Sequence, residues 1–320
     1  MGDHAHHDDF SHRGENHVSR PTAASAAATL LAFTGVCFAQ PPGVTREMIQ
    51  RALPLEGAPL AVPGPYEVIS EPAFGSPGHV VFRPANLDAF PNEDTLPVMA
   101  WGNGGCAINV GGFAGFVKTV ASHGFLVVST AAVEGEPRRS ATAADLRAAL
   151  DWAEAENARA GSPLASKIAI DRVAVMGSSC GGFLSIELGA DPRVDTIGIF
   201  NAGVEPPNPN AAPGPFPTTA ALADLHGPVL FVNGHEPDFM MAASKANFDA
   251  IDNVPAFYGA RHNAGHSATF FHPGGGEFAN VTSSWLMWTL KGDEEAGKTF
   301  AGEACGLCTN PNWDTESKGF

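Results

Sequence analysis

Ten residues near the middle of the chain, Val173-Ala174-Val175-Met176-Gly177-Ser178-Ser179-Cys180-Gly181-Gly182, constrain the fold more than any other stretch. The four leading apolar residues read as a buried strand of a parallel sheet. Gly-x-Ser-x-Gly follows, and Phe183-Leu184-Ser185-Ile186-Glu187-Leu188 then reads as a helix. A strand that becomes a helix within so few residues needs a strained turn with other backbone close by. Gly177 and Gly181 supply the space for it. Ser179 stands at the tip of that turn, with its hydroxyl above the carboxyl edge of the sheet. In a chain with 36 glycines the five-residue pattern alone is a weak signal, and an ordinary glycine-rich turn is the alternative. The surroundings must decide.

Those surroundings alternate strand and helix. Tyr66–Ser70 and His79–Pro84 alternate like half-buried antiparallel strands, and Leu96–Trp101 is a continuous apolar run. Helices are expected at Thr45–Ala52, Phe113–His123, Thr142–Asn157, from the serine to about Ala190, and at Phe239–Ile251 and Phe278–Lys291. Buried strands are expected at Phe125–Ser129, Arg172–Gly177, Thr196–Asn201, Pro228–Asn233 and Pro255–Gly259. The pattern predicts an α/β fold, a doubly wound and mostly parallel sheet with helices on both faces. The Pro-rich segment Gly203 to Thr219 is long enough to shape a cleft and too short for a folded lid. There is no internal repeat.

Length supports one large domain: 320 residues, 44% hydrophobic and 16% charged. A formal charge of −16 argues against nucleic-acid and anionic-membrane partners. Residues 23–39 are small and apolar, Arg13 and Arg20 precede them, and Cys37-Phe38-Ala39 is a small-x-small cleavage pattern. Residues 1–39 therefore read as a signal and processing region, and 40–320 as a single catalytic domain. The unusual part is the His-rich start, where His4, His6 and His7 receive no function. Removal of Cys37 leaves Cys106, Cys180, Cys305 and Cys308, an even number that in an exported chain favours two disulfides. Cys305-Gly-Leu-Cys308 closes a tight C-terminal loop, and Cys106 then pairs with Cys180. One Cys-x-x-Cys is too few ligands for zinc, and no metal or cofactor is expected.

A serine hydroxyl needs a base to take its proton. In the strand–elbow–helix arrangement of α/β-hydrolases the acid and base follow the serine along the chain. After the strand ending Asn233-Gly234 come His235-Glu236-Pro237-Asp238, so Asp238 is the candidate acid and Glu236 its rival. Beyond the last strand the chain reads Arg261-His262-Asn263-Ala264-Gly265-His266. Gly265 gives His266 freedom to turn toward Ser179, and His262 is the rival base. His235 and His272 read as structural or solvent-facing. Two backbone N–H donors are expected around an oxyanion: Cys180, directly after the serine, and Asn103 in the loop after Trp101, with Gly104 second.

These residues resemble a known group. Ala121-Ser122-His123-Gly124-Phe125-Leu126-Val127-Val128, followed by Gly177-x-Ser179-x-Gly181-Gly182, is similar to secreted α/β-hydrolases of the dienelactone hydrolase and polyesterase–lipase–cutinase type, which include polyethylene terephthalate (PET) hydrolases. The likeness runs from about Tyr66 to Lys291. Gly234-His235-Glu236-Pro237-Asp238 matches the group's acid loop and Gly265-His266 its histidine loop. The resemblance implies a secreted serine carboxylic-ester hydrolase acting through an acyl-enzyme; with no lid domain the site should be open, which favours bulky or polymeric esters, and a monomer is expected. The chain departs from well-known polyester hydrolases at Asn103, where they carry an aromatic residue, at Ser178, where an aromatic residue or His is common, and at Asn201-Ala202-Gly203-Val204, where they carry a Trp. Phe113, Phe116, Phe216 and Phe239 are the candidates to replace that aromatic clamp. An acyltransferase or peptidase using the same three residues, and a non-catalytic binding protein on this fold, are the rival readings.

Overall fold

A computed structural model describes Leu55, residues 58–210, residue 212 and residues 214–320. The signal region, its cleavage pattern and the Thr45–Ala52 helix lie outside the described residues.

Nine strands form one sheet: β1 (Val68–Pro72), β2 (His79–Pro84), β3 (Leu96–Gly102), β4 (Leu126–Thr130), β5 (Ile168–Ser178), β6 (Thr196–Phe200), β7 (Val229–Gly234), β8 (Ala256–Arg261) and β9 (Trp313–Lys318). Their spatial order is β1-β2-β4-β3-β5-β6-β7-β8-β9, with β3 through β8 parallel and antiparallel strands at both edges. The helices are α1 (Ala114–Ser122), α2 (Ala143–Ala158), α3 (Cys180–Leu188), α4 (Met241–Ala250), α5 (Gly276–Lys291) and the short α6 (Glu294–Gly297). The sheet is doubly wound and mostly parallel, as the strand–helix alternation predicts, and this is the α/β-hydrolase architecture expected from the serine turn and the family likeness. Among the described residues no helix is long and apolar enough to cross a membrane.

The continuous apolar strands are explained by burial on both faces. Along β3, Val98 and Ala100 join one core layer while Met99 and Trp101 join the other, and every residue of the strand is buried. β5 divides the same way, with Val173 and Val175 on one face and Ala174 and Met176 on the other. The first layer is closed by α2 through Leu146, Ala149 and Leu150, and the second by α1 and α5 through Phe116, Val120, Trp285 and Leu286. The start of α2 is held by Asp145, whose carboxylate accepts from the Thr142 N–H at 2.8 Å.

Two elements differ from the sequence reading. β5 begins at Ile168 rather than Arg172, because its pairing with β3 shifts register between Pro97 and Val98. The extra residues, with Asp171 and Arg172, break the apolar pattern that marks the rest of the strand. The second difference is β9, which the sequence leaves as a disulfide-closed tail. Trp313-Asp314-Thr315-Glu316-Ser317-Lys318 pairs antiparallel with β8, from Arg261↔Trp313 to Ala256↔Lys318. An edge strand has one neighbour and little burial, so its mostly polar sequence carries no strand signature.

The chain leaves β3 toward β4 and then crosses back to β5, so the loops after β3 and β5 diverge. Such a switch point opens a crevice at the carboxyl ends of the strands. The loops after β3, β5, β7 and β8 all gather there.

Candidate active site

Three glycines let the serine turn form. A Cβ on Gly177 would collide with the Gly181 backbone, and one on Gly181 with the Gly102 backbone. The ends of β3 and β5 and the first turn of α3 thus pack main chain against main chain. The turn forces Ser179 to φ 54° and ψ −118°, a conformation that costs a non-glycine residue about 1–3 kcal/mol. It is held by the Ser179 N–H donating to the Phe200 carbonyl at 2.7 Å and by the Gly182 N–H donating to the Ser179 carbonyl at 2.8 Å.

Three side chains from separate loops meet at this turn. Ser179 Oγ lies 2.8 Å from His266 Nε2, and His266 Nδ1 lies 2.8 Å from Asp238 Oδ1. The carboxylate can only accept from Nδ1–H, so the neutral ring leaves Nε2 to accept from the serine hydroxyl. Asp238 is 3% exposed and also accepts from the Met240 N–H at 3.1 Å and from Asn201 Nδ2 at 2.7 Å. The rivals lie elsewhere. Glu236 is exposed, and His262 hydrogen-bonds Asp314 at 2.8 Å. That bond holds the Asp314 carboxyl below the usual carboxylate range.

Asn201 escapes the sequence reading as a contributor to the site. It lies directly after β6 at φ 49°, is fully buried, and its Oδ1 has no hydrogen-bond partner among the described residues. Asparagine at a strand end in a left-handed backbone is the only local signal, and it is too common to single out. Phe239, next to Asp238, stacks on the His266 ring with centroids 4.0 Å apart and planes 28° apart. It shields one face of the imidazole from water.

Of the two expected oxyanion donors, Cys180 directly follows the serine, and Asn103 lies in the loop whose Gly104 approaches the Ser178 carbonyl. Cys180 opens α3, so its N–H lies in the first turn, which has no intrahelical acceptor. Asn103 follows β3 with its side chain turned inward: Oδ1 accepts from Trp101 Nε1 at 3.0 Å, and Nδ2 donates to the Ala107 carbonyl and to Ser129 Oγ, both at 3.1 Å. The side chain thus anchors the loop and leaves main chain to line the crevice. Cys106 is bonded to Cys180, with Cα atoms 5.1 Å apart, and ties the Asn103 loop to the serine turn. The second disulfide joins Cys305 and Cys308.

Aromatic pairs sit on the serine helix and beside the Asn103 loop. Phe183, in the first turns of α3, packs on Phe216 at 5.0 Å, and Phe216 is 38% exposed. On the Asn103 side, Phe113 packs on Phe271 at 5.6 Å, and Phe271 is 47% exposed. Phe116, one of the candidates from sequence, is instead fully buried beneath Trp101, because α1 turns that face onto the sheet. Among the described residues the connection from β6 to β7 holds a single 3-10 turn, Thr219–Asp224.

The profile of the PETase family, described as PET hydrolase-like, matches residues 105–312. The matched span is more than half of the chain and contains Ser179, Asp238 and His266. A search of the curated proteins returns no match. With the α/β-hydrolase sheet beneath it, this match makes the chain a member of the PET hydrolase-like family, a family of ester hydrolases.

Proposed function

We propose that the chain is an exported serine ester hydrolase that cleaves bulky, aromatic-rich or polymeric esters, including polyesters of the PET type. The observation that carries this reading is the continuous relay from Ser179 through His266 to Asp238, 2.8 Å at each step. In this mechanism His266 Nε2 takes the serine proton as Oγ attacks the ester carbonyl. Asp238 keeps the ring in the Nδ1–H form and stabilises the imidazolium. The main-chain N–H groups of Cys180 and Asn103 receive the oxyanion, a contribution of about 3 kcal/mol per donor. His266 then protonates the departing alcohol. Water repeats the sequence on the acyl-enzyme, with His266 as base.

The substrate class rests on the surface around the serine. Phe216 is exposed and packs on Phe183 of the serine helix, Phe271 is exposed and packs on Phe113 beside Gly104, and Phe239 lies over the imidazole. Rings presented in this way favour flat, apolar acyl and alcohol groups. They take the part that aromatic residues play at Asn103 and Asn201 in the resembling enzymes. Export agrees with two disulfides and with the small-x-small cleavage pattern Cys37-Phe38-Ala39, and cleavage there would leave 40–320 as the catalytic domain.

The test is hydrolysis of a short-chain chromogenic ester and of amorphous PET film by wild type, Ser179→Ala, Asp238→Ala, His266→Ala and Glu236→Ala. The first three variants should lose roughly 10⁴-fold or more in turnover, while Glu236→Ala retains it. Phe216→Ala and Phe271→Ala should release less aromatic acid from film with little change on the chromogenic ester. An inert wild type that a serine-reactive phosphonate fails to label would overturn the reading.

A further inference from the structure

We propose that Ser129 and Thr130, the last two residues of β4, are positioning residues for the oxyanion, because their hydroxyls hold the loop that carries the Asn103 N–H. This rests on the serine-hydrolase reading above. It adds two groups that lie outside the relay of Ser179, His266 and Asp238.

The hydroxyls belong to a closed, buried network. Asn103 and Ser129 are fully buried, and Thr130 is 1% exposed. Asn103 Nδ2 donates to Ser129 Oγ at 3.1 Å, to the Ala107 carbonyl at 3.1 Å and to Thr130 Oγ1 at 3.3 Å. Ser129 Oγ in turn donates to the Trp101 carbonyl at 3.2 Å, and Thr130 Oγ1 to the Ala107 carbonyl at 3.1 Å. Trp101 Nε1 closes the ring on Asn103 Oδ1 at 3.0 Å. The two hydroxyls thus tie the amide to main chain on either side of it, at Trp101 and at Ala107. Both stand on the interior of the sheet: Ser129 is opposite Trp101 in the β3–β4 pairing, and Thr130 is opposite His79 in the β2–β4 pairing.

The loop needs that hold. Asn103 is followed by Gly104 and Gly105, and Gly105 and Cys106 both have positive φ, 64° and 47°. Such a segment has little conformational preference of its own. Its far end is fixed by the Cys106–Cys180 bond, and its near end by the Asn103 amide. An oxyanion donor helps only if it is aimed before charge develops on the substrate oxygen. A loosened donor therefore costs transition-state binding more than ester binding, and the loss falls on kcat. The same network turns Asn103 inward at the position where the resembling polyester hydrolases carry an aromatic residue. A ring placed there would break every bond the amide makes.

The test uses the full chain, a soluble chromogenic ester, and a phenylboronic acid whose tetrahedral adduct on Ser179 Oγ presents an oxygen to the oxyanion donors. Ser129→Ala and Thr130→Val should each lower kcat about tenfold with KM changed by less than about twofold, and weaken the boronic acid by a similar factor. Thr130→Ser keeps the hydroxyl and should retain most of kcat. Thr196→Val is the control: it removes a buried hydroxyl that accepts from Trp285 Nε1 at 2.8 Å, at the amino end of β6, away from the serine. It should lower the melting temperature and leave kcat in place. Asn103→Tyr should lose turnover on soluble ester and PET film alike. If Ser129→Ala fails to fold, the two Thr130 variants carry the comparison. Wild-type kcat and boronic-acid affinity in the folded Ser129 and Thr130 variants would overturn the proposal. So would an equal loss of kcat in Thr196→Val, equal impairment of Thr130→Ser and Thr130→Val, or a gain on film by Asn103→Tyr. A wild type that neither turns over the ester nor binds the boronic acid would overturn the serine-hydrolase reading itself, and this proposal with it.

Discussion

Asn201 Nδ2 donates to Asp238 Oδ2 at 2.7 Å, on the carboxylate oxygen opposite the one that receives His266. The aspartate is thus gripped from both sides, and its plane is set before the imidazole meets it. A hydrogen bond to a charged, buried group is worth about 1.5–3 kcal/mol. Asn201→Gly keeps the left-handed backbone and removes only the amide. It should lower kcat by about tenfold to a hundredfold at nearly constant KM, read from ester turnover. Asn201→Asp sets a second carboxylate against Asp238 and should cost more, with an altered pH–rate profile. Unchanged kcat in Asn201→Gly would leave the amide with a packing role alone.

The two disulfides should differ in weight. Cys106–Cys180 closes a separation of 74 residues, and Cys305–Cys308 one of 3. Loop-closure entropy gives the first about 4 kcal/mol and the second about 2. The paired change Cys106→Ser with Cys180→Ser should therefore lower stability more than Cys305→Ser with Cys308→Ser. It should also lower turnover, because the first bond braces the Asn103 loop. Urea melts and ester assays on both double variants check this.

Arg261 and Glu277 form an ion pair at 2.6 Å with both side chains 6% exposed. Arg261 also donates to the His262 carbonyl at 2.9 Å, so it stiffens the start of the histidine loop. Glu277→Ala leaves the guanidinium buried without its counter-ion and should cost about 3–5 kcal/mol. Arg261→Met combined with Glu277→Leu should be much milder, because no charge remains buried. Denaturant unfolding separates the two outcomes.

Acid should weaken one charge cluster at low pH. Hydrogen bonds from Arg193 hold the Asp191 carboxyl at about 2, against an ordinary value of 3.8. A depressed carboxylate contributes fully above its unfolded value, so this stabilisation is complete above about pH 4. It is lost as pH falls from there through about 2. Arg193→Ala should remove that part of the acid dependence, leaving a flatter urea midpoint between pH 4 and pH 2.

The serine turn, the parallel core and the order Ser179, Asp238, His266 are readable from the amino-acid sequence. Their signals are local: apolar runs of strand length, a Gly-x-Ser-x-Gly turn, and candidate residues just past strand ends. Periodicity marks buried strands because both faces must be apolar. That rule misses β9, whose edge position asks for no apolar residue, and the start of β5, where a register shift interrupts the run.

What the sequence alone determined is therefore the strand–helix framework, the family likeness and a short set of candidates at the carboxyl edge. Only the tertiary structure brings His266 rather than His262 to Ser179, Asp238 rather than Glu236 to His266, Asn201 to the aspartate, and His235 and His262 to Asp314. Side-chain selection depends on directions across strands far apart in the chain. His266 is 87 residues from Ser179, and Asp314 is 79 from His235. No local pattern records which of two neighbouring rings turns inward, because that is fixed by sheet order and by the packing of loops against one another.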